Sequence, residues 1–213
     1  MTDFKRQREE MVRHQLVRRG ITDKRVLDAM RAVPRERFVP ADYRAMAYRD
    51  GPLPIEEGET ISQPYIVALM AEGMELDDRD RILEVGAGSG YAAAVLSRIG
   101  AEVYGIEQHG KLAELARRRL EALGYDNAEI REGDGTRGWA DRAPFDAILV
   151  SAGAPDVPPT LLGQLAVGGR MVIPVGGRGS QKLLRVRKIS EDEYEQDSLG
   201  YVRFVPLEGS EGW

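Results

Sequence analysis

The chain has 213 residues, 42% hydrophobic and 31% charged, with a net charge of −5 and no cysteine. This length suits one domain, 1–213, with a sizeable core, and the charge carries no basic block that would favour high-affinity nucleic-acid binding. Disulfides, thiolate metal sites and thiol nucleophiles are excluded, and no run approaches the roughly 20 apolar residues of a membrane span. The start, MTDFKRQREEMVRHQ, lacks the apolar stretch of a secretory signal, so a cytoplasmic chain is expected.

The first elements are helical. Phe4, Met11, Val12, Leu16 and Val17 recur at helical spacing within Phe4 to Arg19, and Gly20 is a suitable terminator. Asp23 can cap a second helix lined by Val26, Leu27 and Met30 and ended by Pro34, and Ala41 to Tyr48 suits a third. Asp50 to Thr60, with Pro52, Pro54, Gly51 and Gly58, predicts a loop without regular structure. In GETISQPYIVAL, Ser62 stands where an N-cap belongs, Pro64 falls in the first turn, and Tyr65, Ile66, Leu69 and Met70 form an apolar stripe.

From Arg81 the period shortens. RILEV, AEVYGI, AEIRE, FDAILV and RMVIPV read as strands, the first few separated by helical patterns such as Lys111 to Leu123, which predicts parallel strands with helices on both faces. Arg117 to Arg119 read as the solvated face of that helix. Lys182 to Ile189 and Tyr201 to Pro206, joined by the polar stretch Ser190 to Ser198, predict a terminal antiparallel hairpin. The N-terminal helices, within 1–75, need a surface to cover and are expected to cap the 76–213 sheet region.

RILEVGAGSGYAAAVL has the order strand, Gly86-Ala87-Gly88-Ser89-Gly90, helix. Glycines there let backbone N–H groups and a helix N-terminus approach a nucleotide-like ligand. The dinucleotide fingerprint G-x-G-x-x-G fails, because Tyr91 stands where its third Gly belongs. Glu107, at the end of the second strand, suits a ribose diol of either NAD or an adenosyl sulfonium. Glu84 separates the two. A carboxylate beside the turn repels a pyrophosphate and favours the ammonium and sulfonium of S-adenosylmethionine. Gly133-Asp134-Gly135 adds an acid placed to accept from an adenine amino group. His14 and His109 form no metal cluster, and His109 is expected to begin the next helix.

The methyl acceptor is narrowed by what is missing. Ser151-Ala152-Gly153-Ala154-Pro155 replaces the D/N-P-P-aromatic turn of adenine methylation, there is no Cys for cytosine C5 chemistry, and the end of the fourth strand offers no carboxylate or Lys as a base. An acceptor already anionic, such as a carboxylate, needs only orientation and desolvation.

VLDAMRAVPRERFVP, LPIEEGETISQPYIVALM, the glycine turn, GDGTRGW, APFDAILVSAGAPDVPPTLLGQLAVGGRMVIPVG and VRFVPL together resemble the protein-L-isoaspartate O-methyltransferase family over nearly the whole chain. The resemblance implies a doubly wound, Rossmann-like class I methyltransferase with a mostly parallel seven-stranded sheet, an N-terminal helical segment and a C-terminal hairpin. It implies S-adenosylmethionine as cofactor, S-adenosylhomocysteine as product, and isoaspartyl proteins and peptides as partners of a monomer, with D-aspartyl residues as poorer substrates. It also implies Ser62 as the active-site residue and Ile61, Ser62, Glu84, Gly86, Gly88, Gly90, Glu107, Gly133, Asp134 and Gly135 as cofactor contacts, under a cover made by Pro54 to Ser62. Ala87, Glu59 and Gly153 depart from the usual pattern, and Glu59 puts an acid near the expected anionic acceptor. A small-molecule methyltransferase and a silent cofactor-binding module are the alternatives.

Overall fold

Local sequence sets the N-terminal helices. In the computed structural model, which describes residues 3–213, the Asp3 side chain caps α1 (Phe4–Met11). The chain continues through a π-helical stretch at Val12–Leu16 and a 3-10 turn at Val17–Arg19, and stops at Gly20 with φ of 95°. Asp23 Oδ1 accepts from the amides of Arg25 and Val26 and opens α2 (Lys24–Ala32), a cap worth about 1 kcal/mol. The segment expected as a third helix is a 3-10 turn, Ala41–Met46.

Two expectations around residue 60 are corrected. The stretch read as loop holds a small hairpin, in which β1 (Leu53–Pro54) pairs antiparallel with β2 (Thr60–Ile61). Glu57 and Gly58 both take positive φ, 58° and 80°, and so turn the chain back on itself, which the density of Pro and Gly concealed. Nor does Ser62 cap the next helix. The cap position of α3 (Pro64–Gly73) is Gln63, with no side-chain cap, and Pro64 in the first turn needs no amide partner.

The main sheet follows the predicted alternation: β3 (Arg81–Val85), α4 (Tyr91–Leu96), β4 (Glu102–Glu107), α5 (Gly110–Ala122), β5 (Ala128–Glu132), β6 (Phe145–Val150), α6 (Pro159–Gln164) and β7 (Leu165–Gly177). The order is β5-β4-β3-β6-β7, all parallel, continued by antiparallel β8 (Ser180–Lys188) and β9 (Tyr194–Val202). The expected hairpin forms, but β9 begins inside the polar stretch and ends at Val202. Phe204 instead donates its amide to Gln181 Oε1, and Pro206 bridges to Gly153.

One sheet face packs a core shared by the N-terminal helices, α4 and α5, including Met11, Leu16, Met30, Phe38, Ile82 and Leu112. The other buries Leu83, Val85, Phe145, Ile148 and Met171. Arg170 ties the layers together: it pairs with Asp80 at 2.6 Å and donates to the carbonyls of Met74 and Glu75. Among the described residues no helix is long and apolar enough to cross a membrane.

Candidate active site

Parallel α/β sheets open a crevice at the carboxyl ends of strands where the order reverses. Here that point lies between β3, which continues to β4, and β6, added on its other side. The glycine turn sits there, with Gly86 and Gly88 at φ of 81° and 53°. Four of its five amides are already engaged within the protein. Gly86 and Ala87 donate to Ile106 O, Gly88 to Glu107 Oε2, and Gly90 to Ala87 O. Such a turn offers little to a pyrophosphate.

Acidic side chains lie beside it. Glu84 lies on β3 between Gly105 and Leu149 in register, is 1% exposed, and has one carboxylate oxygen, Oε2, buried without a hydrogen-bond partner. Burial first, then repulsion from Glu107, raises its carboxyl well above the ordinary 4.5, against a backbone amide of Ala93. A cation is what such a group lacks. Glu107 ends β4 and accepts from the amides of Gly88 and His109, at 2.8 and 2.9 Å, which fastens the turn to the strand.

Three spaces meet at Thr60 and Ser151. The cleft beside Glu107 is lined by Gly86, Gly88, Gly135, Glu59, His109 and Glu208. An inner cavity holds Glu84, Ile61, Ser62, Ala87 and Tyr91. A broad groove begins at Ser62 and runs between Tyr65, Ile66 and Leu69 of α3 and the segment from Leu199 to Pro206. Ser62 therefore lies at the boundary between inner cavity and groove.

Other predicted residues stand apart from these spaces. Gly90 has φ of 86°, and a Cβ there would sit 3.2 Å from that of Ala116, so its small size serves the packing of α4 on α5. Gly133 lines none of the three spaces, and Asp134 turns toward the C-terminal segment: Oδ1 accepts from the Thr136 amide and hydroxyl, Oδ2 from the Ser210 amide. Burial would raise the Asp134 carboxyl, but these hydrogen bonds prevail and hold it below its usual value. Glu59 belongs to the cleft and not to the groove. It lies 3.6 Å from His109 Nε2, and burial, with Glu107 and Glu208, keeps its carboxyl raised despite His109. His109 does immediately precede α5.

Sequence reasoning missed Arg35. It is fully buried, donates Nε to Ala47 O and Nη2 to Ser62 O, both at 2.8 Å, and lies 4.8 Å from the Tyr91 ring. It fixes the backbone of Ser62, and the VPRERF segment was its only trace. The β1–β2 hairpin is pinned to α5 by Glu56–Arg119, at 2.6 Å, and Glu57–Lys111, at 3.5 Å.

A family model described as protein-L-isoaspartate(D-aspartate) O-methyltransferase matches residues 6–212. The chain belongs to this family. A protein-L-isoaspartate O-methyltransferase of Pelobacter propionicus is 60% identical over 97% of this chain and 92% of its own, and one of Protochlamydia amoebophila is 52% identical over 95% and 97%. A solved protein-L-isoaspartate O-methyltransferase superposes with a TM-score of 0.85 at 33% identity, over 96% of this chain and 67% of that one. A Plasmodium falciparum structure bearing the family's name, in complex with S-adenosyl-L-homocysteine, superposes at 0.80 with 26% identity, over 98% and 99%. Within TISQP, Thr60 lines all three spaces and Ser62 two of them, and the glycine turn borders the cleft and the inner cavity.

Proposed function

We propose that Ser62 holds the acceptor carboxylate while Glu84 and Glu107 hold the methyl donor of an S-adenosylmethionine-dependent protein-L-isoaspartate O-methyltransferase. The reaction class follows from the family; the division of labour follows from charge. S-adenosylmethionine supplies a methyl group made electrophilic by its sulfonium. The unpartnered Glu84 oxygen is suited to the donor's ammonium, Glu107 to its ribose diol, and Ile61, Gly86, Gly88 and Gly135 to close packing around it. Gly90, Gly133 and Asp134 would serve indirectly, by shaping the turns that carry the others.

Ser62, Thr60 and Ser151 offer hydroxyls where cavity and groove meet, and no lysine or carboxylate lines the groove. The isoaspartyl α-carboxylate is already anionic at neutral pH, so no proton has to be removed. Its oxygen bonds to the methyl carbon as the carbon–sulfur bond breaks, and the hydroxyl of Ser62 orients it with a charge-assisted hydrogen bond. The released ester closes when the neighbouring backbone nitrogen attacks it and methanol leaves, and hydrolysis of the resulting succinimide returns some normal aspartate. The β-carboxylate of D-aspartyl residues would be a weaker acceptor at the same hydroxyl.

The observation that carries this reading is the buried, unpaired Glu84 carboxylate within the cavity that Ser62 also lines. The reading takes the protein as a monomer of one domain whose residues 1–75 cover the 76–213 core. A cytoplasmic location agrees with the absence of cysteine. The test is methyl transfer to two peptides that differ only in aspartyl linkage. Transfer to the isoaspartyl peptide alone is expected; equal transfer to both, or to neither, overturns the reading.

A further inference from the structure

The groove beyond Ser62 has a charge pattern that methyl transfer itself does not require. It encloses about 1030 Å³, and its lining includes Arg19, Arg178 and Arg203 but no Asp or Glu, in a chain with 35 acidic and 30 basic side chains. Small-molecule pockets run to roughly 1,000 Å³, so a peptide fills this space better than a metabolite. Arg19 is already engaged: its guanidinium lies 3.6 Å from the Tyr65 ring centroid and 3.2 Å from the Asp50 carboxylate. Arg178 and Arg203 have no ion-pair partner among the described residues. Both are exposed, Arg178 in the β7–β8 turn with its guanidinium 5.1 Å from the Trp213 ring, and Arg203 just after β9.

We propose that this groove selects isoaspartyl segments with acidic side chains beside the damaged residue, and that Arg178 and Arg203 determine the preference. The inference rests on the reading of Ser62 as the acceptor's site, since the groove starts there. The physical argument is complementarity. An arginine fork takes a carboxylate in two hydrogen bonds, and the absence of acids in the lining leaves nothing to compete for it. A segment bearing lysine meets only like charge.

The test uses three isoaspartyl peptides identical except for Glu, Gln or Lys on both sides of the isoaspartyl residue. Steady-state methylation is measured with the natural chain and with the double variant Arg178→Gln, Arg203→Gln. Exposed charge pairs change affinity by about two- to fivefold each, so KM is expected to rise from the Glu to the Lys peptide by about tenfold in the natural chain. The spread collapses in the double variant, and Arg203→Glu alone shifts the preference toward the Lys peptide. Equal KM for all three peptides in the natural chain, or an undiminished spread in the double variant, overturns the proposal. Methylation of none of the three by the natural chain overturns the functional reading, and this inference with it.

Discussion

On one side of Ser62 the cleft is lined by Glu59, Glu107 and Glu208, with Glu84 in the cavity behind; on the other side the groove is lined by arginines and no acid. The net charge of −5 conceals this separation. The two regions also differ in burial. Glu84 is 1% exposed, whereas Arg178 and Arg203 are open to solvent. Buried charge that loses its partner costs several kcal/mol, and exposed pairs contribute about 1 kcal/mol or less, so in the proposed reading the cleft would supply affinity and the groove discrimination.

Removing the buried charge should have the largest effect. Glu84→Gln is expected to weaken binding of S-adenosylhomocysteine, measured by calorimetry, by at least about a hundredfold, on the order of 3 kcal/mol. The same variant should flatten a pH dependence. A carboxyl raised in the folded state contributes stability that is complete below the unfolded value and is lost as pH rises through the folded one. Stability of the cofactor-free chain is therefore expected to fall as pH climbs from 4.5 through the raised Glu84 value, and the fall should be smaller in Glu84→Gln.

At the boundary, Ser62→Ala removes one charge-assisted hydrogen bond of about 1.5–3 kcal/mol. Turnover should drop about ten- to a hundredfold, while cofactor affinity stays within about twofold. Comparable loss of both would erase the distinction between the two sides. Glu107→Gln should weaken cofactor binding by about tenfold, because its charge is lost and, with one acceptor oxygen instead of two, it keeps only one of the hydrogen bonds from Gly88 and His109. The smallest effect belongs to salt: raising it from low to about 0.5 M should increase KM for an acidic peptide a few-fold and leave cofactor affinity nearly unchanged.

Much of this was legible because it is local. The strands β3, β5 and β6 match their apolar runs, Asp23 caps α2, and Glu84 falls on β3 two residues before the glycine turn. What depends on tertiary contact was not legible. Tyr65, Ile66 and Leu69 share a stripe with Met70, yet Met70 enters the core and the others wall the groove. No periodicity separates those fates. Arg35 acts through the carbonyl of Ser62, 27 positions away, and Asp134 binds Ser210, contacts that exist only once the chain has closed. Arg178 and Arg203 are unremarkable in sequence until the groove brings them together.

The central claim, that Glu84 is kept ready for a cation, is tested most directly by counting protons released when S-adenosylhomocysteine binds. Calorimetry in buffers of different ionisation enthalpy gives that number, at a pH between 4.5 and the raised Glu84 value. The natural chain is expected to release more protons than Glu84→Gln, because the cation displaces the proton that Glu84 otherwise holds. Equal proton release by the two, with equal affinity, would contradict the account.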